Sequence, residues 1–242
     1  MKFSVIIEAR LGSTRLPNKI LYKIKRYNFL EFLIKRLKLL KKINQIIVAT
    51  TNNPRDKEII RIAKKNKVKF YVGSENNVQK RVIDAGKKFK CETIVRITSD
   101  CPLSDPDLID QAVEIYRLNS CDYLSNTQKM RTYPDGMDIE IFSLNSLIRS
   151  SKLNLSIKKK QWTTWSLRNN PKKFKHLILA APRNLKWPDL HLTLDEYEDY
   201  KLLKKIILHF NEKHNFSCHE IISLLKKKKH WLKINKHIKR NY

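Results

Sequence analysis

The chain has 242 residues, with 51 Lys and Arg against 23 Asp and Glu for a formal net charge of +28, and is long enough to bury one sizeable core. Its 41% hydrophobic and 31% charged residues, with only 4 Gly and 8 Pro, exclude collagen-like and low-complexity classes and argue against disorder. No apolar run is long enough to span a bilayer and Met1 to Ala9 lacks a signal-peptide cleavage pattern, so the expectation is a soluble, cytoplasmic protein without membrane partners.

The charge alone would suit a nucleic-acid binder. Lysine, however, is abundant throughout beside Ile and Asn, a chain-wide bias rather than a patch, and predicts only non-specific nucleic-acid contact through a basic surface. Only residues 101–150 are net acidic, with eight Asp and Glu against four Lys and Arg. Cys91, Cys101, Cys121 and Cys218 form no C-x-x-C pair and read as buried thiols, not ligands.

In chain order, Phe3 to Ala9 is an apolar, β-branched strand, followed by a loop with Gly12, Ser13 and Pro17 and an amphipathic helix around Phe29 to Leu40. Gln45 to Thr51, Lys67 to Val72 and Thr93 to Thr98 read as strands, separated by helices near Arg55 to Lys65 and Val78 to Phe89. This alternation predicts an α/β fold whose parallel sheet is covered on both faces. Asp105 and Pro106 open a helix to about Leu118, with Asp as N-cap and Pro at the first helical position. Asp122 to Ser125 reads as a short strand, and Met137 to Phe142 as an alternating one that puts Asp138 and Glu140 on one face. The irregular stretch to Pro171 makes about 133–171 an expected arm or subdomain. His176 to Ala181 and His191 to Leu194 read as strands, Asp195 opens a helix through Phe210, Cys218 to Leu225 is the last helix, and about 229–242 is a basic C-terminal tail.

The loop from Ala9 to Lys19 carries the first candidate site. Leaving the carboxyl end of the first parallel strand, it lies where open α/β sheets bind ligands. Gly12 permits close backbone approach, Ser13 and Thr14 offer hydrogen bonds, and Arg10, Arg15 and Lys19 can neutralise a polyphosphate. Neither G-x-G-x-x-G nor G-x-x-x-x-G-K-[ST] is present, which disfavours a dinucleotide fold or a P-loop. Asp100, ending an apolar strand, reaches the mouth of the sheet. Asp105 and Asp107 are explained by helix capping. Asp195 has two readings: N-cap, because Glu198 follows at capping-box spacing, or metal ligand.

Four blocks in order, Ile7 to Lys19, Arg96 to Leu103, Pro134 to Glu140, and Leu192 to Asp195 with Glu198 and Asp199, resemble the nucleotidyltransferases that make CMP-activated acid sugars. These include acylneuraminate and 3-deoxy-manno-octulosonate cytidylyltransferases, and the spore-coat polysaccharide branch is the most similar. The resemblance covers most of the chain and implies a single nucleotidyltransferase domain over 1–242. The implied fold is a Rossmann-like, mostly parallel sheet of glycosyltransferase-A type with a protruding dimerisation arm, hence a homodimer. The implied reaction is Mg²⁺-dependent transfer of CMP from CTP to an acidic sugar or related acid acceptor, releasing pyrophosphate, in surface polysaccharide or glycoconjugate biosynthesis.

On this reading Arg10, Arg15, Lys19 and Asp100 are catalytic; Ala9, Arg10, Gly12, Ser13, Arg15, Lys19, Arg81 and Asp100 bind nucleotide; Asp138, Glu140 and Gln161 contact the acceptor; and Asp100 and Asp195 hold the metal. Two segments depart from that branch. Asn77 to Arg81 keeps only Val78 and Arg81 of an Asp-Val-Leu-Asp-Arg-like run, and Gln161-Trp162-Thr163-Thr164 replaces Glu-His-Val-Thr, which argues for a different acceptor or reduced activity. Trp162 and Trp165 suit packing of an arm against a second subunit. The alternatives are a basic nucleic-acid-binding protein and a nucleotide-sugar-using glycosyltransferase on the same sheet.

Overall fold

The computed structural model describes residues 1–127, 131–153, 156, 159 and 161–240. Strands β1 (Phe3–Glu8), β2 (Gln45–Thr51), β3 (Lys69–Gly73), β4 (Thr93–Thr98), β5 (Tyr123–Ser125), β6 (Glu140–Ser143) and β7 (His176–Ile178) form one sheet in the order β3-β2-β1-β4-β6-β5-β7. β1 to β4 are mutually parallel, β6 runs antiparallel to both β4 and β5, and β7 is parallel to β5. The chain moves outward from β1 through β2 to β3, then returns to place β4 on the other side of β1. That reversal creates a crevice at the carboxyl ends of β1 and β4, where open α/β sheets bind ligands.

Side-chain alternation along the strands builds two cores. Val5, Ile7, Val48, Val95, Ile97 and Ile141 face one layer, which also takes residues from helices α1 (Phe29–Leu37), α2 (Lys57–Lys65), α4 (Pro106–Leu118), α7 (Tyr197–His209) and α8 (Cys218–Lys227). Ile6, Ile47, Ala49, Ile94 and Phe142 face the other, packed by α3 (Val78–Lys88), α5 (Leu144–Ser151) and the short α6 (Trp165–Arg168). Each fully buried Ile, Leu or Phe contributes roughly 1.5–3 kcal/mol relative to exposure. The central strands are apolar on both faces because both faces are covered. Among the described residues no helix is long and apolar enough to cross a membrane.

Caps set the helix starts. Asn28 and Glu31 close a reciprocal box on α1, Glu31 N donating to Asn28 Oδ1 at 2.8 Å and Asn28 N to Glu31 Oε2 at 3.1 Å. Asp105 caps α4, accepting from Asp107 N, while its other oxygen accepts from Cys218 N at 2.6 Å at the start of α8. Arg36 is completely buried and donates to the carbonyls of Leu103, Ser104, His214 and Phe216, which ties the chain beyond β4 to the segment before α8. Burial without a direct carboxylate partner lowers its pKa to about 10.

Several boundaries differ from the sequence reading. Of the alternating stretch Met137 to Phe142 only Glu140 onward is strand, so Asp138 precedes β6 and does not share a strand face with Glu140. His191 to Leu194 is no strand: His191 makes a single bridge to Asp135. The helix expected to open at Asp195 starts at Tyr197, with Glu196 as N-cap. The bounds of the expected arm, about 133–171, take in residues of the main fold: β6 lies inside the sheet between β4 and β5, and Leu147 and Leu167 sit in a core. Residues 154, 155, 157, 158 and 160 of that segment lie outside the described residues. The C-terminal basic segment is packed: Lys229–Ile234 form a 3₁₀ turn with Trp231 buried, and Arg240 pairs with Asp199. Cys91, Cys101 and Cys218 are buried and Cys121 half-buried, all as free thiols.

Candidate active site

The loop that leaves β1 is shaped by its own backbone and by a buried carboxylate. Asp56 accepts from Leu11 N at 2.8 Å and from the Thr51 hydroxyl, which fixes the loop to the end of β2. Ser13 N donates to Leu11 O, and Asn18 adopts a left-handed conformation (φ 58°) before the 3₁₀ turn Lys19–Leu21. That turn directs Lys19 inward, its side chain only 11% exposed, with Nζ 3.0 Å from Asp100 Oδ2 and 2.8 Å from Asp195 Oδ1. Arg15 reaches the same Asp195 oxygen at 3.0 Å and Glu196 at 3.6 Å from a more exposed position.

Asp195 is placed by two of the sequence blocks together. Asp135 N donates to Leu190 O at 2.9 Å and Leu192 N to Asp135 O at 2.8 Å, so the Pro134 block lies alongside the Leu192 block. Gly136 permits this: it has φ +95°, and a Cβ there would come within 2.7 Å of the Leu192 carbonyl. Leu194 N donates to Asp100 O at 2.8 Å, joining the loop after β4 to the segment before α7. The capping at α7 belongs to Asp199, whose Oδ2 accepts from Glu196 N and Asp195 N, while Asn235 and Arg240 hold the same buried carboxylate from the C-terminal segment. The Asp195 carboxylate is therefore spared from capping and points to Lys19.

Burial opposes ionisation of both Lys19 and Asp100, but their mutual attraction wins. The two carboxylates raise the Lys19 pKa, and the Lys19 ammonium with the Thr98 hydroxyl holds Asp100 below the usual carboxylate range. Two carboxylates converging on one cation are also a donor set suited to Mg²⁺, which takes one or two carboxylates and keeps its remaining positions for water and phosphate oxygens. Among the described residues no cluster of three or more His, Cys, Asp or Glu could hold a metal.

These groups open onto a cavity of about 320 Å³ lined by Glu8, Ala9, Arg10, Gly12, Ser13, Thr14, Arg15, Lys19, Val78, Arg81, Thr98, Ser99, Asp100, Gln161 and Asp195. It brings together every expected nucleotide and metal residue, from four separate parts of the chain. A Cβ on Gly12 would meet nothing nearer than 3.5 Å, so this glycine is not demanded by packing. Arg10 is exposed and has no ion pair among the described residues. Arg81 is buried, donates to Ser74 O at 2.6 Å, and has its Nε unpartnered; burial lowers its pKa. Asn77 caps α3 by accepting from Lys80 N at 2.9 Å, a task Asn and Asp perform about equally well.

Asp138 and Glu140 are not in that cavity. They line a neighbouring one of about 300 Å³ with Arg131, Trp162 and Arg168, and Gln161 belongs to both cavities. Asp138 pairs with Arg131 at 2.5 Å. Glu140 is buried and held by Arg96, Tyr123 and Thr164, and these partners overcome burial to keep its pKa below the usual range.

The residue behind this arrangement, Arg96 of β4, escaped the sequence reading as a site component, as did Glu8. Arg96 forks onto Glu8 with two contacts of 2.8 Å and also pairs with Glu140. The Thr163 hydroxyl donates to Glu8, and Gln79 donates to Thr163 O at 3.2 Å, so the Gln161–Thr164 segment is pinned to the sheet. The signal was present: the single charged residue in each of two otherwise uncharged central strands must find a partner across the sheet.

The cytidylyltransferase family profile matches residues 4–238. The chain is 35% identical over 239 residues to the uncharacterized protein MJ1063 of Methanocaldococcus jannaschii, covering 99% of this chain and 96% of that one. It is 29% identical to the spore coat polysaccharide biosynthesis protein SpsF of Bacillus subtilis, covering 91% and 92%. A solved cytidylyltransferase structure from Leptospira borgpetersenii superposes with a TM-score of 0.91 at 34% identity, each chain covered completely.

Proposed function

The chain belongs to the cytidylyltransferase family, and from that premise we propose that it transfers CMP from CTP to an acidic sugar or related acid acceptor for surface polysaccharide or glycoconjugate biosynthesis. The observation that carries this reading is the convergence of Arg10, Arg15, Lys19, Arg81, Asp100 and Asp195 on one cavity at the sheet's reversal point. An acceptor oxygen attacks the α-phosphorus of CTP and the bond to the pyrophosphate oxygen breaks as the new P–O bond forms; a hydroxyl acceptor passes its proton to solvent, while an ionised phosphate or phosphonate has none to lose. Such transfers depend chiefly on positioning and charge neutralisation.

In this assignment the loop after β1 binds the triphosphate through Arg10, Arg15, Lys19, the backbone at Gly12 and the Ser13 hydroxyl. Arg81 lies at the cavity wall beside the nucleotide. Asp100 and Asp195 hold Mg²⁺, which supplies charge neutralisation at the phosphate oxygens when bound. The acceptor enters from the side of Gln161, where the two cavities meet. In the acceptor cavity Glu140 has a different role from the one its sequence position suggests: its oxygens are engaged by Arg96, Tyr123 and Thr164, so it shapes the wall, leaving Gln161 and the Arg131–Asp138 pair nearer to the acceptor. The homodimer implied by the resemblance and the cytoplasmic location expected from the sequence belong to the same proposal.

The test is pyrophosphate release from each of the four nucleoside triphosphates with Mg²⁺ and a panel of keto-acid sugars, phosphates and phosphonates. CTP together with one acidic acceptor should give release well above the others; preference for another nucleotide would end the cytidine assignment.

A further inference from the structure

The metal assignment for Asp100 and Asp195 leaves one feature unexplained: both carboxylates already share a cation. Lys19 Nζ lies 3.0 Å from one and 2.8 Å from the other, on a side chain that is almost wholly enclosed. An ammonium carries three donors in a compact charge on a flexible stem, so one lysine can bridge two carboxylates and can also leave them. Mg²⁺ binds oxygen at about 2.0–2.1 Å. An ion bound by both carboxylates must occupy the region between them, which is where the ammonium sits.

We infer that Lys19 is a place-holding cation: its ammonium keeps Asp100 and Asp195 converged while the cavity is empty, and yields its position when a divalent ion and a polyphosphate bind together. This rests on the functional reading above and adds an order to it. Without the ammonium, two half-buried carboxylates would face each other uncompensated and repel. With it, a divalent ion arriving alone must displace a bound charge that has no new partner. A polyphosphate changes that balance, because its oxygens in the same cavity accept the displaced lysine. Metal and polyphosphate thus favour each other's binding, and the coupling is reciprocal by thermodynamic necessity. Arg15 adds to the effect at Asp195, but from a position 52% exposed, where solvent weakens it.

The experiment measures Mn²⁺ binding to the nucleotide-free protein, reading free Mn²⁺ by electron paramagnetic resonance and folding by thermal denaturation. Lys19→Met removes the ammonium and keeps most of the side chain's bulk. It should bind Mn²⁺ at least about fivefold more tightly than wild type, the lower end of ordinary coupling between sites. The gain should vanish in Lys19→Met combined with Asp100→Asn or with Asp195→Asn. Equal or weaker Mn²⁺ binding by Lys19→Met overturns the place-holding role, as does a gain that survives both Asn substitutions. If Lys19→Met folds only with Mg²⁺ present, the ion is replacing the ammonium and the inference holds; if it folds in neither condition, the inference fails. Pyrophosphate release by the wild type is scored separately, so loss of the place-holder and loss of the cytidylyltransferase reading are distinguishable.

Discussion

Two clusters of carboxylates and cations lie near the carboxyl ends of the central strands, and they are built on opposite principles. In the first, Asp100 and Asp195 share the Lys19 ammonium beside an open cavity, with Arg15 reaching in from solvent. In the second, Glu8 and Glu140 flank the Arg96 guanidinium, and Tyr123, Thr163 and Thr164 complete the coordination of both acids. Arg96 is held far above its ordinary pKa, the two glutamates outweighing its burial. The guanidinium is planar and forked, and each of its three nitrogens donates to a glutamate, whereas the ammonium is a point charge on a flexible stem. On the roles proposed above, the same pairing of two acids with one base serves as a rigid support in one case and an exchangeable site in the other. The exposure of the acids and the donor geometry of the base, more than charge count, set the two clusters apart.

The comparison is broken most severely at Arg96. Arg96→Met leaves the half-buried Glu8 and the buried Glu140 without their cation and should cost roughly 3–5 kcal/mol of stability. Urea or thermal denaturation measures it; a loss below about 1 kcal/mol would show that the cluster is wetter and less structural than its burial indicates. The opposite pattern is expected in the first cluster. Asp100→Asn and Asp195→Asn should each lower turnover by about 100-fold, equivalent to about 2.7 kcal/mol of transition-state stabilisation, with little change in melting temperature. Asp195→Asn is the more informative of the two, because the N-terminus of α7 is capped through Glu196 and Asp199 and does not use Asp195. Full activity in that variant would leave Asp100 as the principal carboxylate. The smallest effect belongs to Asn77, which lies next to the cavity but serves α3. Asn77→Ala should cost about 1 kcal/mol and Asn77→Asp almost nothing. A large fall in turnover at unchanged stability would move Asn77 from the cap into the site.

Much of the fold was legible because local signals agreed with one another. β2 and β4 have the bounds read for them, Gln45 to Thr51 and Thr93 to Thr98, and α4 starts at the Asp105-Pro106 pair that caps it. Reading failed where a segment's conformation depends on a distant partner. The His191 to Leu194 stretch has a strand's alternation but lies beside the Asp135 turn and makes only a bridge. Glu198 has the right spacing for a capping box with Asp195, but the helix begins two residues later and Asp199 takes that role, anchored by Asn235 and Arg240. Nothing local marks the distant residues that decide this.

The candidate site divides in the same way. The sequence alone determined which residues had the right chemistry: a cation-rich loop after the first strand, an Asp at the end of the fourth, another before a late helix. It could do so because residue type and position relative to a strand end are local properties. Only the tertiary structure decided that Lys19 bridges Asp100 and Asp195, that Asp138 and Glu140 belong to a second cavity, and that Arg96 is the hidden support of its wall. Those outcomes depend on register across the sheet and on loops meeting from positions as far apart as 19 and 195, and electrostatic pairing acts on distance in space, not separation along the chain.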